Sequence, residues 1–266
     1  MESALPFVAA LALCSMRWLP AIFLVPIFRA QAMNGLARST IALALALPAA
    51  SGVAGALSDA PLPLAHWLAL TAKEAALGII VASLVAVPFW AVEAAGTYLD
   101  YQRGANPQAL DPAMSVDASV LGGILQQALI VYLIASGGLH AVIEIVSTSY
   151  IVWPALAGFP PLGPAIWAPF GTLLAATMQF ALTLAAPYLL ALAAIEACFA
   201  IVSRVNAKFP AYVAALPFKS VVVILLIAMT LPRLLAAGHD LVGEHGSEVN
   251  RVLRETAAAA DRNNAR

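Results

Sequence analysis

The sequence predicts an all-α, polytopic membrane protein, and three observations lead there. Of its 266 residues 62% are hydrophobic and only 10% are charged, whereas a soluble domain carries about a quarter charged residues. Uncharged runs at 39–58, 75–92, 118–143 and 145–195 approach or exceed the roughly 20 apolar residues that cross a bilayer. Ala and Leu dominate and no strand-like alternation occurs, so helices, which satisfy their own backbone hydrogen bonds in lipid, are the spanning structure.

Six hydrophobic blocks follow one another, at about 4–28, 36–57, 64–98, 118–143, 165–203 and 211–237. The start of the chain, residues 1–20, lacks a basic n-region and carries the acidic Glu2, so it reads as a retained first membrane segment and not as a cleaved signal. Blocks three and five exceed one crossing and hold Pro88 and Pro187, which predicts a bent helix, a broken pair or a helix projecting beyond the bilayer. The connection 51–66 is turn-rich, with Asp59 as its one charge. The connection 151–169 has no charge, and Trp153 and Trp167 at its edges suit a membrane interface. After Gly238 the composition turns polar, which divides the chain into a helical membrane part, 1–238, and a polar, partly helical, water-exposed tail, 239–266.

Basic residues cluster after blocks one, three and five: Arg29 and Arg38, Arg103, then Arg204 and Lys208. The positive-inside rule puts those loops in the cytoplasm. Six crossings then put the tail outside, yet the tail carries Arg251, Arg254, Arg262 and Arg266. The two votes conflict, so some block does not cross singly or insertion alone does not set the final position.

Ionisable residues inside spans cost roughly 2.5–3.5 kcal/mol each on insertion scales. Here they are Arg17, Lys73, Glu74, Glu93, Glu144, Glu196 and Lys219. Glu93 and Asp100 are seven apart with Gly96 between them, on one helix face; Glu196 and Arg204, eight apart, also share a face. Such faces avoid lipid and point to partner helices, subunits or an aqueous path.

Other chemistry finds little support. A net charge of −1 leaves no basic footprint for nucleic acid. Cys14 and Cys198 read as buried small hydrophobes and are too few for a zinc site. His140 and Glu144 lie four apart, but the second histidine of a metalloprotease helix is absent. No phosphate loop, serine-nucleophile pattern or paired-carboxylate motif stands out, so neither an enzyme, a cofactor nor a metal is expected. A solute or ion transporter using the intramembrane glutamates is the alternative class, although no inverted repeat supports it.

The ordered segments "EAAGTYLDYQRGANPQALDP", "GGLHAVIEIVSTSYIVWP" and "PFKS" resemble the T-subunit family of the type III secretion export apparatus, the SctT/SpaR/HrcT group related to the flagellar FliR. The resemblance covers the chain apart from its polar tail. "SRVNAKFPAYVAALPFKS" departs from the family pattern, because Asn206, Ala207 and Lys208 stand where an Arg-x-x-Pro-Gln type of sequence is usual. The resemblance implies a non-enzymatic subunit of a protein-export gate in the bacterial inner membrane, built of long kinked helical hairpins. Its implied partners are the R and S gate subunits, the U switch subunit and unfolded proteins in transit.

The resemblance also implies that "GANPQALDPAMSVD", residues 104–117, is a loop that helps plug the closed channel. Gly104 lets the chain leave a helix, and Pro107 and Pro112 restrict it without making it helical. Leu110 and Met114 supply apolar surface beside Asp111. Glu93, Asp100, Glu144, Glu196, Arg204 and Lys219 are then the expected buried polar or inter-subunit contacts.

Overall fold

A computed structural model describes residues 4–28, 33–58, 63–104, 119–158, 164–206 and 208–264. Among these the regular structure is helical: α1 (Ala4–Leu24), a 3-10 turn (Pro26–Phe28), α2 (Gly35–Ser58), α3 (Leu64–Gln102), α4 (Val120–Ala135), α5 (Leu139–Val152), α6 (Pro164–Val205) and α7 (Ala211–Asn264). Five of the helices are long and apolar enough to cross a membrane, or six spans if the interrupted pair α4 and α5 counts as one. The all-α, multi-pass expectation is borne out.

Local chemistry sets the helix ends. The Asn34 side chain accepts from the Ala37 N–H at 2.8 Å and starts α2. Ser119, in an extended conformation, caps α4 by accepting from the Gly122 N–H. Gly104 and Gly137 adopt φ of 80°, the left-handed region that suits glycine, just past α3 and α4. The interior prolines do not end their helices: α3 runs through Pro88, α6 through Pro187, and α7 through Pro217 and Pro232. Block three is thus one helix of 39 residues. Block six merges with the polar tail into one helix of 54 residues.

The chain forms two compact units: one takes 1–87, 137–174 and 243–266, the other 88–136 and 175–242. In the first, Leu13, Trp18, Ile22, Leu77 and Val81 are buried. The polar stretch after Gly238, expected to be water-exposed, also has a buried face, while Glu244, Ser247, Arg251, Arg254 and Glu255 are exposed. Val249, Val252 and Leu253 are buried, and buried His245 hydrogen-bonds the Leu84 carbonyl at 2.7 Å. Spacings of three, four and seven residues give this polar stretch one apolar stripe, which overall polarity conceals.

The first unit also holds a buried ion cluster. Arg17 grips Glu74 with two parallel bonds, Nε to Oε2 at 2.9 Å and Nη2 to Oε1 at 2.8 Å. It also donates to Ser149 Oγ and the Trp153 carbonyl, and its guanidinium lies 4.1 Å from the Tyr150 ring centre. Lys73 donates to the carbonyls of Pro154, Ala155 and Ala157 and lies 3.0 Å from Glu74 Oε1. Arg17 and Glu74 are completely buried. Gly78 fits against the Arg17 backbone, where a Cβ would fall 2.6 Å from the Arg17 carbonyl oxygen. The expectation of Trp153 as an interfacial anchor is corrected: it is buried, because its carbonyl is drawn onto Arg17.

In the second unit α4 presses Leu121, Leu125, Leu129 and Leu133 into a core with Phe89, Leu99 and Leu192. Gly96 on α3 meets Gly122 on α4 so closely that a Cβ on Gly96 would lie 2.6 Å from the Gly122 backbone. Small residues let helix backbones approach in this way. Cys14 is buried as expected, but Cys198 is exposed on α6, on a side of the helix that none of the described residues covers.

The ion cluster makes a testable statement. Arg17→Met alone should destabilise the protein by about 3–5 kcal/mol, since Glu74 is left buried and unpaired. Arg17→Met with Glu74→Leu should cost clearly less than the sum of the singles. Thermal unfolding in detergent of the purified complex reads both, and simple additivity would show that the pair does not act as one.

Candidate functional site

The residues that matter most surround the ends of the 105–118 segment. At its start α3 places Asp100 and Gln102 in its last turn and Arg103 just beyond it. At its end Ser119 opens α4. One buried carboxylate ties the two ends together. Asp100, 1% exposed, accepts from Arg103 Nε at 2.7 Å, from Ser119 Oγ at 2.7 Å and from the Leu121 backbone N–H at 2.9 Å. A carboxylate near the first turn of α4 also meets the positive end of that helix. Residues 100 and 121 are therefore held together whatever lies between them, and the segment leaves and returns at one point.

Seven residues earlier on the same face, Glu93 accepts from Gln126 Nε2 at 2.6 Å, and Gln126 also donates to the Phe89 carbonyl. The shared face read from the spacing of Glu93, Gly96 and Asp100 is the face that α4 covers. Each polar group on it meets a donor from α4 where the two glycines bring the backbones together.

The other side of the root is built by α6 and α7. Lys219, 2% exposed, donates to Glu196 Oε2 at 2.8 Å and to the Gln102 carbonyl at 3.2 Å. The Gln102 side-chain amide reaches the same Glu196 oxygen at 3.5 Å. Phe199 stacks on Phe209 and tilts against Phe218, which stiffens the turn between the two helices.

The expected site residues are thus placed unequally. Asp100 and Lys219 are buried, and Glu93 is half-buried. Glu144, Glu196 and Arg204 are exposed on their helices. The structure gathers Asp100, Glu196 and Lys219 around the end of α3, and Glu93 lies one helical stretch away. Gly104 is described, but Pro107, Leu110, Asp111, Pro112 and Met114 lie outside the described residues. His140, like Glu144, is exposed, and no cluster of three or more His, Cys, Asp or Glu able to hold a metal occurs among the described residues.

Sequence reasoning passed over Arg103, Ser119, Gln102 and Gln126 as members of this constellation. Ser119 had a usable signal, a serine immediately before a long apolar run. The two glutamines carried none, because an uncharged side chain in an apolar span does not announce its partner.

Residues 8–245 match the family described as Bacterial export proteins, family 1. The chain belongs to this family. It is 30% identical over 225 residues to the surface presentation of antigens protein SpaR of Salmonella typhimurium, covering 84% of this chain and 82% of that one. It is equally 30% identical to the Yop proteins translocation protein T of Yersinia pestis, over 80% of this chain and 82% of the relative. A flagellar biosynthetic protein, FliR of Bacillus subtilis, is 22% identical over 62% of this chain and 66% of its own. The resemblance to the T subunits of the type III export apparatus is borne out. The solute-transporter alternative is set aside, because the family exports proteins.

The Asp100 clamp predicts an effect of its own. Asp100→Ala removes three accepted hydrogen bonds and leaves the Leu121 N–H without its acceptor. An orphaned buried donor costs about 1–3 kcal/mol. Limited proteolysis of the detergent-solubilised complex should then nick residues 104–119 about tenfold faster or more. Unchanged cleavage would show that the clamp does not restrain the segment.

Proposed function

We propose that this protein works in the bacterial inner membrane as the T subunit of a type III export gate, with its R and S subunits and the U switch subunit as neighbours, and that residues 104–117 help seal the closed channel. The observation that carries the reading is the Asp100 clamp. In a chain of an export family, the one long polar segment between two apolar helices is held at both ends by a single buried carboxylate. An inert connector has no need of so costly an anchor.

The chemistry of the segment fits a reversible seal. Leu110 and Met114 offer apolar surface, and methionine adapts to irregular gaps. Pro107 and Pro112 limit the entropy lost each time the loop settles. Unfolded polypeptide passes when the seal is withdrawn. The exposed Glu144, Glu196 and Arg204, with Glu93 beside the aromatic surface of Trp90, Tyr98 and Tyr101, are the groups we assign to contacts with the neighbouring subunits. Large exposed apolar side chains such as Val205, Tyr212, Val213 and Val221 supply the surface that lipid or those subunits cover.

Replacing Leu110 and Met114 by Gly tests the seal. Each large apolar side chain fully buried in the closed state contributes roughly 1.5–3 kcal/mol. The closed state should therefore lose about a factor of ten or more per residue. Cells carrying the assembled complex should become leaky to ions when no substrate is engaged, while complex abundance stays normal. A tight membrane at normal abundance would make the segment a plain connector. Mass measurement of the complex isolated in mild detergent tests the assembly itself, and a stable lone monomer would contradict it.

A further inference from the structure

Helix α3 ends without a basic residue in its last turn. The last carbonyls of a helix lack intrahelical partners and carry its negative dipole end, so a cation is the usual complement. Arg103, the first basic residue beyond the helix, is committed to Asp100 at 2.7 Å. The Gln102 carbonyl takes its cation from elsewhere in the chain: Lys219 Nζ, on α7, at 3.2 Å.

We infer that Lys219 is a positioning residue that seats the C-terminal end of α3 on the α6–α7 hairpin, and that Glu196 is the releasable half of that joint. Lys219 is 2% exposed, and its charge is matched by one carboxylate and one carbonyl. The carboxylate belongs to Glu196, whose side chain is 49% exposed. The joint is therefore asymmetric: the cation has nowhere to go, whereas its anion already faces outward. The seat is shaped to match. Tyr212, Leu216 and Lys219 follow at spacings of four and three on one face of α7. Leu216 and Tyr212 back onto Gly104, so close that a Cβ there would collide with the Leu216 side chain. Beside the pair, a cleft of about 200 Å³ lined by Glu196, Phe199, Tyr212 and Ala215 leaves room for the carboxylate to swing aside. If Glu196 is drawn off, Lys219 stays buried without a counter-charge, with only the Gln102 carbonyl and the Tyr212 ring face 6.0 Å away, a costly state relieved by separating α7 from the end of α3.

This inference deepens the export-gate reading by naming what holds one element of that gate, and it is tested without reference to channel sealing. Ala215 is 2% exposed in the joint. In a chain with Cys14→Ser and Cys198→Ser, Ala215→Cys reports opening through its rate of reaction with a small maleimide in the assembled complex. Glu196→Gln and Lys219→Met should each raise that rate about tenfold, and the two together should raise it no further than one alone. The charge swap, Glu196→Lys with Lys219→Glu, restores an ion pair but sets a carboxylate under the Gln102 carbonyl, so the rate should stay high. Protection unchanged in Glu196→Gln, increments that add, or protection restored by the swap would each overturn the inference. Glu196→Gln alters a half-exposed position with little change of shape, so the test survives if Lys219→Met fails to assemble. A leak from the loop variants, with the reporter thiol still protected in Glu196→Gln, would leave the sealing reading standing and this one refuted. Faster labelling with a tight membrane in the loop variants would do the reverse.

Discussion

A charge buried among apolar helices must find its counter-charge and its hydrogen bonds inside the protein, and this constraint organises everything else in the chain. Asp100 is its clearest instance. The carboxylate is almost fully buried yet takes three donors, one from its own turn and two from the start of α4. Those donors can converge only if α4 begins beside the end of α3. The close approach of Gly96 to Gly122 permits that, and the leucine stripe of α4 consolidates it. Remove the carboxylate and the leucine stripe, the Gly96–Gly122 approach and the Glu93–Gln126 bond remain, but the first turn of α4 loses the acceptor that ties it to the last turn of α3.

The same constraint operates in the other unit with a different result. Arg17 and Glu74 form a fork-to-fork pair, and Lys73 directs its donors to three carbonyls of the irregular backbone after α5. Backbone that leaves a helix inside an apolar protein has carbonyls to satisfy, and a buried lysine satisfies several at once. Charge therefore serves the bent connection here as much as it serves the helices. In both units, ionic groups mark the places where regular helix gives out.

An export subunit profits from such an arrangement. Apolar packing alone is nondirectional and tolerates sliding, whereas hydrogen-bonded charge has one geometry. A segment that leaves and re-enters a helical core at one point is best held by directional contacts. The Asp100 clamp and the Lys219 seat supply directional contacts of this kind at the end of α3, while large apolar side chains of α6 and α7 are left exposed.

Much of this protein is legible in one dimension. Composition and uncharged run length determine an all-α membrane protein, because only a helix closes its own hydrogen bonds in lipid. Ordered motifs determine the family. The seven-residue spacing of Glu93 and Asp100 determines a shared polar face, since helical periodicity is local. Only the tertiary structure decided the partners. Arg17 meets Glu74 from 57 residues away, and Lys219 meets Gln102 across 117. Nothing local encodes which distant group answers a buried charge. It decided, too, that Pro88 and Pro187 sit inside continuous helices, and that the polar stretch after Gly238 continues α7 with its apolar stripe covered. A proline's lost hydrogen bond and a polar segment's few apolar residues are weak local terms, and packing against the rest of the chain outweighs them.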